Sequence, residues 1–317
     1  MTYPIVGLHH VTATVDRAQP DLDFCLNALG LRLVKKTVNF DNHHVYHFYY
    51  GDERGTPGTI WTTFPYHDRG VRVGVKGAGQ ITTTSFSVPE DALSYWQSRL
   101  LAHGVTAPAG ESRFGDKAIV MSDPSGLTIE LVAGSRDARA PWLDGGVREG
   151  AAIRGLHSVT LTIRSPQESI DFLTTVLGLR VAGEAGPRTR LSIGDDAPGH
   201  WLELVHAPDA PAAVNGLGTV HHVALALAVP DEQRRLREDL IARGVKVTEI
   251  LDRQYFKSIY FREPGGVLIE VATMEPGFSV DEPLGQLGRD LKLPPWEEPH
   301  RAEIEAGLAR VTYRGQA

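Results

Sequence analysis

Apolar and polar positions alternate with period two through LHHVTATV (residues 8–15), the pattern of a strand with two unlike faces. His10, Thr12 and Thr14 share one face, while His9, Val11, Ala13 and Val15 share the other. A helix is predicted over PDLDFCLNALG, closed by glycine. Short strands follow in HVYHFYYGD and TIWTTFPY. The same grammar returns along the chain. Residues 7–32 align without gaps to 155–180, with 13 of 26 positions identical. FSVPEDALSYWQSRLLAHGV (86–105) resembles LAVPDEQRRLREDLIARGV (227–245), and DPSGLTIELVAG (123–134) resembles EPGGVLIEVATM (263–274). Four modules therefore start near Gly7, Gln80, Gly155 and Thr219.

Each module reads as strand, helix and three strands, with Gly-Gly and Pro-Gly turns that imply antiparallel neighbours. The predicted fold class is α+β: four βαβββ modules in two tandem domains, forming curled, antiparallel-type sheets open on one side. The first domain spans 1–145 (modules one and two) and the second 151–275 (modules three and four). The Pro/Gly/charge-rich SRDARAPWLDGGVREGAA joins them. Residues 276–317, with LKLPPWEEPHRAEIE, are expected to strap the surface. A curled sheet with a concave face is a container for a small ligand.

Composition narrows the partners. The 317 residues carry 32 Lys and Arg against 39 Asp and Glu, a net charge of −7 without a basic block. That disfavours nucleic acid or an anionic membrane as partner. A single cysteine, Cys25, excludes an intramolecular disulfide framework and a multi-cysteine zinc site. The beginning of the chain lacks a signal-peptide pattern, and no apolar run approaches a membrane span, so a soluble, cytoplasmic protein is expected. Exposed sheet edges make a homo-oligomer plausible.

Thirteen histidines without cysteine partners point to an N/O metal site, if to any. In the first strand of module four, His222 shares a face with Ala224 and Ala226, as His10 shares one with two threonines. Both faces suit a cavity. Glu270 sits in the otherwise apolar VLIEVAT, where a carboxylate is costly to bury unless paired or metal-bound. His10, His222 and Glu270 thus form a two-histidine, one-carboxylate set, which favours ferrous iron and also permits manganese. In the other cup, Ser158 stands at the His10 position, Ile81 is read at the His222 position, and Glu130 persists at the Glu270 position as a structural carboxylate. Modules one and four should therefore share the competent cup. Lys35 and Lys36 read as a solvated strand edge, and Tyr46, Trp61, Tyr255 and Phe256 as candidates to stack on an aromatic ring.

GLHHVT, LGLRLVKKTVNFDN, YHFYYGDERGTPGTIWTTFPY, GTVHHVALAL and DRQYFKSIYFREPGGVLIEVAT together resemble the vicinal oxygen chelate (glyoxalase/bleomycin resistance/dioxygenase) superfamily, and within it the ring-cleaving hydroquinone dioxygenases. The resemblance covers essentially the whole chain. It implies that His10, His222 and Glu270 hold Fe(II), that O2 and a small aromatic compound are the substrates, and that His9, His221, Thr12 and Tyr260 act around the metal. It also implies an arginine near the substrate; the segment between Asp252 and Tyr255 is shorter here, which leaves Arg253 as the nearest candidate. Strict alternation would point His9 and His221 away from the metal, so their roles require a bulge or the sheet's twist. His221 and Tyr260 are the candidates to take or relay the proton of a hydroquinone hydroxyl. The alternatives are a glyoxalase-type isomerase, which typically wants a second carboxylate ligand, and a metal-free small-molecule binding or resistance protein.

Overall fold

The computed structural model describes residues 3–134 and 137–313; Ser135 and Arg136 of the predicted joint lie outside the described residues. Module one comprises β1 (Ile5–Val15), α1 (Ala18–Leu22), which widens into a π-type winding over Asp23–Ala28, then β2 (Arg32–Asn39), β3 (Asn42–Gly51) and β4 (Ile60–Pro65). Module two has β5 (Gln80–Ser87), α2 (Leu93–Ala102), β6 (Lys117–Ser122) and β7 (Thr128–Ala133). Its remaining expected strand is reduced to a bridge between Ala109 and Ile119. Module three runs through β8 (Gly155–Ile163), α3 (Pro166–Thr175), β9 (Arg180–Ala185), β10 (Arg188–Ser192) and β11 (Trp201–His206). Module four runs through β12 (Thr219–Leu227), α4 (Glu232–Ala242), the two-residue β13 (Leu251–Asp252), β14 (Lys257–Arg262) and β15 (Leu268–Thr273).

The strands form two sheets, ordered β13-β14-β15-β12-β1-β4-β3-β2 and β6-β7-β5-β8-β11-β10-β9. Modules one and four thus share one sheet, and modules two and three the other. Each sheet is mixed. Strands joined by tight turns are antiparallel, but β1 runs parallel to β4 and β12 parallel to β15. The reason is geometric: a helix returns the chain after the first strand, so three meandering strands end in the first strand's direction. At the seam β1 pairs antiparallel with β12, as β8 does with β5.

Val11, Ala13 and Val15 of β1 and Val223 and Leu225 of β12 enter the main core, while His10, Thr12, Thr14 and His222 line a cavity on the other face. Gly30 closes the first helical segment at φ +70°, as Gly178 closes α3 at +76°. A side chain at Gly30 would strike Val147 of the joint at 2.5 Å, which makes glycine obligatory there.

The C-terminal segment is a strap, and its site explains a departure from expectation. β2 is an edge strand, and the tail covers it: Lys292 N donates to Lys36 O at 3.0 Å, and Leu293 and Ile304 pack on Val38. Lys35 and Lys36 are consequently buried, where the sequence suggested a solvated edge. Lys35 Nζ lies between Asp281 Oδ1 and Glu282 Oε2, at 2.5 Å from each. The strap includes a helix (α5, Arg301–Gly307), after which Val311 enters the core and Tyr313 Oη donates to Gly288 O at 2.7 Å; residues 314–317 lie outside the described residues. Among the described residues no helix is long and apolar enough to cross a membrane.

Candidate metal centre and active site

Both His-His pairs sit on irregularities of the β1–β12 ladder. Pairing advances from Leu8↔Leu225 to His10↔Ala224, leaving His9 as the extra residue on β1. It then steps from Thr12↔His222 to Ala13↔Val220, leaving His221 as the extra residue on β12. A bulge breaks alternation and turns consecutive side chains toward one side. His9 Nδ1 therefore lies 2.9 Å from His10 Nδ1, and His221 Nδ1 lies 2.8 Å from His222 Nδ1. The register also brings β15 alongside β12, with Glu270 opposite Ala224.

Three donor atoms converge as a result. His10 Nε2 is 3.3 Å from His222 Nε2 and 3.2 Å from Glu270 Oε2, and His222 Nε2 is 2.8 Å from that same oxygen. All three side chains are buried, and Glu270 Oε2 makes no well-formed hydrogen bond in spite of these contacts. A buried, unsatisfied carboxylate oxygen facing two imidazole nitrogens is a donor set awaiting a cation. With ligand bonds of roughly 2.1 Å, three ligands on one octahedral face stand about 3.0 Å apart, so the observed separations suit a facial triad with open positions opposite. Glu270 Oε1 is held by the Ser258 hydroxyl. Burial by itself would raise the Glu270 pKa, but His10 and His222 hold it well below the usual carboxylate range. Burial pushes His9 and His221 down to about 3, so both rings stay neutral.

A cavity of about 340 Å3 opens on the triad. Thr12, His221, Arg253, Tyr260 and Phe256 line it, as do Tyr49, Phe64 and Tyr66. Arg253 grips Asp41 through both terminal nitrogens (3.1 and 3.0 Å), and its Nε donates to Tyr260 Oη at 3.2 Å. Burial and the Glu270 charge push the Tyr260 pKa up. His9 stands behind His10, against Phe256. Of the other aromatic candidates, Tyr46 binds Ala309 O of the tail, Trp61 packs on Phe86 in the core, and Tyr255 packs on Phe278; none lines the cavity.

Sequence reasoning missed His47. It faces the cavity from β3, packed against Tyr49 and Phe64. The Thr62 hydroxyl donates to Thr12 Oγ1 at 2.8 Å, so His47 Nε2, 3.0 Å from Thr62, must be the donor in that contact. His47 Nδ1 is then an unprotonated acceptor. The signal was present in YHFYY, where His47 and Tyr49 share a strand face at period two.

The second cup shows what the same scaffold does without ligands. There Ser158 replaces His10. Thr83 occupies the His222 position, because Ser85↔Glu130 matches Ala224↔Glu270; Ile81, read there from the sequence, instead matches Val220. Glu130 is met by Arg113, whose Nε also binds Glu203 Oε2 at 2.7 Å. Arg188 and Arg190 complete the set around Glu203 at 2.8 and 2.6 Å. The guanidinium of Arg113 stands where the other cup gathers metal donors, and among the described residues no metal-capable group of three side chains lies in this cup.

A βαβββ sheet pair carrying a buried facial triad at the module seam is the architecture of the glyoxalase/bleomycin resistance protein/dioxygenase superfamily, whose family model matches residues 155–271. Glyoxalase I from Zea mays shares the fold at 16% identity, with a TM-score of 0.60 over 84% of this chain and 92% of that one. Much nearer are MhqO of Bacillus subtilis, named as a ring-cleaving dioxygenase (40% identical over 97% of both chains), and the chlorohydroquinone/hydroquinone 1,2-dioxygenase of Sphingobium indicum (37% over 95% of both). A crystal structure of a dioxygenase-named Bacillus subtilis protein superposes with a TM-score of 0.93 at 39% identity, over 99% of both chains. The chain belongs to the ring-cleaving dioxygenase family of this superfamily, and it is an enzyme of that class.

Proposed function

We propose that the protein is an Fe(II)-dependent, extradiol-type dioxygenase that opens the ring of hydroquinone-like aromatic compounds with O2. The observation that carries this reading is the buried His10/His222/Glu270 set, whose donor spacing suits one face of a six-coordinate ion. Manganese(II) fits the same donors. Held by His10, His222 and Glu270, Fe(II) would supply redox coupling between the ring and O2.

The chain's own residues prepare that reaction. For Nε2 of His10 and His222 to be free for ligation, their Nδ1–H groups must donate to His9 and His221, which therefore orient both ligands. His221 then keeps its proton on Nε2 and presents a donor to the substrate oxygen. Tyr260 holds its proton and, steadied by Arg253, relays rather than abstracts. Phe256, Phe64 and Tyr49 supply apolar walls that exclude water. His47 Nδ1 accepts a hydrogen bond from the hydroxyl para to the ligating oxygen, which favours hydroquinones over simple phenols. A cytoplasmic setting, where the lone buried thiol of Cys25 stays reduced, accords with this activity.

The test is oxygen uptake by anaerobically prepared, Fe(II)-loaded protein. One O2 consumed per substituted hydroquinone, with a ring-opened chromophore, is the expected result. Turnover of methylglyoxal–thiol adducts with nickel, without oxygen uptake, would replace this reading by the isomerase.

A further inference from the structure

We propose that His43, His44 and Glu303 form a second, surface divalent-cation site that clips the C-terminal strap to β3. One ligand atom from each of the three residues lies within 4.8 Å of the others. The two imidazoles come from adjacent strand positions, which would ordinarily face opposite ways. Here the ladder between β2 and β3 jumps from Val38↔Tyr46 to Asn39↔Asn42, so residues 43–45 have no partner on β2. The bulge lets both rings turn to one side, with centroids 4.4 Å apart.

The surroundings fit a metal rather than a chance cluster. His43 Nδ1 meets Glu297 Oε2 at 2.8 Å, which fixes its tautomer and leaves Nε2 as its free donor atom. A carboxylate on the far nitrogen is the usual support of a ligating histidine. His300 stands with its ring centroid 6.1 Å from that of His43, near enough to offer a further nitrogen after a side-chain rotation. Two imidazoles and a carboxylate suit a borderline transition ion, zinc, nickel or copper(II), rather than magnesium or calcium. The ligands are separated by more than 250 positions in sequence, so the ion would close a very long loop. It would also steady the turn carrying Asp41, which Arg253 grips at the mouth of the cavity.

This inference does not depend on the proposed reaction. The test uses tag-free, metal-stripped full-length protein titrated calorimetrically with zinc chloride. Wild type should bind two zinc ions per chain. His44→Ala/Glu303→Ala should lose one and keep the buried site, while Glu270→Ala should keep a zinc ion that His44→Ala then removes. Amide exchange across 297–308, through openings that free the tail, should slow about 100-fold at zinc concentrations near 100 times Kd, and not in the double variant. A zinc stoichiometry that His44→Ala/Glu303→Ala leaves unchanged, or unchanged tail exchange in zinc-saturated wild type, would overturn the proposal, whereas a single ion in wild type that this double variant removes would count against the buried site alone.

Discussion

Replacing Lys35 by methionine tests how the strap is fastened to the active-site sheet. The ammonium is fully buried between Asp281 and Glu282, and it faces the Tyr255 ring at 5.2 Å. Tyr255 Oη in turn donates to Asp281 Oδ2 at 3.0 Å, and the adjacent Phe256 forms a wall of the cavity against His9 and His10. Methionine keeps the stem's volume but leaves the Glu282 carboxylate, with a side chain only 1% exposed, without its cation. Removing one member of a buried ion pair costs about 3–5 kcal/mol. At the roughly 2 °C per kcal/mol expected for a large domain, Tm should fall by about 6–10 °C. Urea unfolding gives the free energy directly, and Lys35→Met/Glu282→Gln should recover part of the loss, because the fully buried carboxylate charge is then gone and only Asp281, 19% exposed and still bonded by the Tyr255 hydroxyl, has lost its cation. A loss below about 1 kcal/mol, or strict additivity in the double variant, would refute the buried-lock reasoning.

Further outcomes follow from the cavity and from a buried acid. His47→Leu should weaken anaerobic binding of hydroquinone to the metal-loaded protein about 2- to 12-fold, the range of one neutral hydrogen bond, and leave 4-methoxyphenol unaffected; equal effects on both ligands would remove His47 from para-hydroxyl recognition. Asp21, held by Tyr50 and Thr63 hydroxyls, is raised to about 7 by burial. The native state therefore binds a proton that the unfolded chain has released, and stability should fall as pH rises from about 4 to 7, by up to about 4 kcal/mol. Asp21→Asn should flatten that slope in denaturant titrations, and an unchanged slope would contradict it.

Much of the site was legible because it rests on strand periodicity and duplication. LHHVTATV and TVHHVALAL announce matching faces, and a glutamate inside VLIEVAT needs a reason to be buried. The asymmetry between His10 and Ser158 pointed to modules one and four as partners in one cup, and the sheet order unites them. What escaped depends on contacts between distant segments. Lys35 looks solvated until the tail covers β2. Tyr255 and Phe256 are neighbours in sequence, yet only Phe256 reaches the cavity. The two-residue slip that put Ile81 in place of Thr83 arose in ITTTS, where a shift of two keeps every side chain on its own face and period two gives no register. His47 was hidden among aromatic residues that read equally well as core.

The central claim is that one ion is held jointly by an imidazole of β1, an imidazole of β12 and a carboxylate of β15. Metal analysis of protein prepared anaerobically with ferrous iron tests it most directly. Wild type should retain stoichiometric iron resistant to gel filtration, whereas His222→Ala and Glu270→Ala should each lose it with circular dichroism unchanged. Stoichiometric iron in either folded variant would contradict the account.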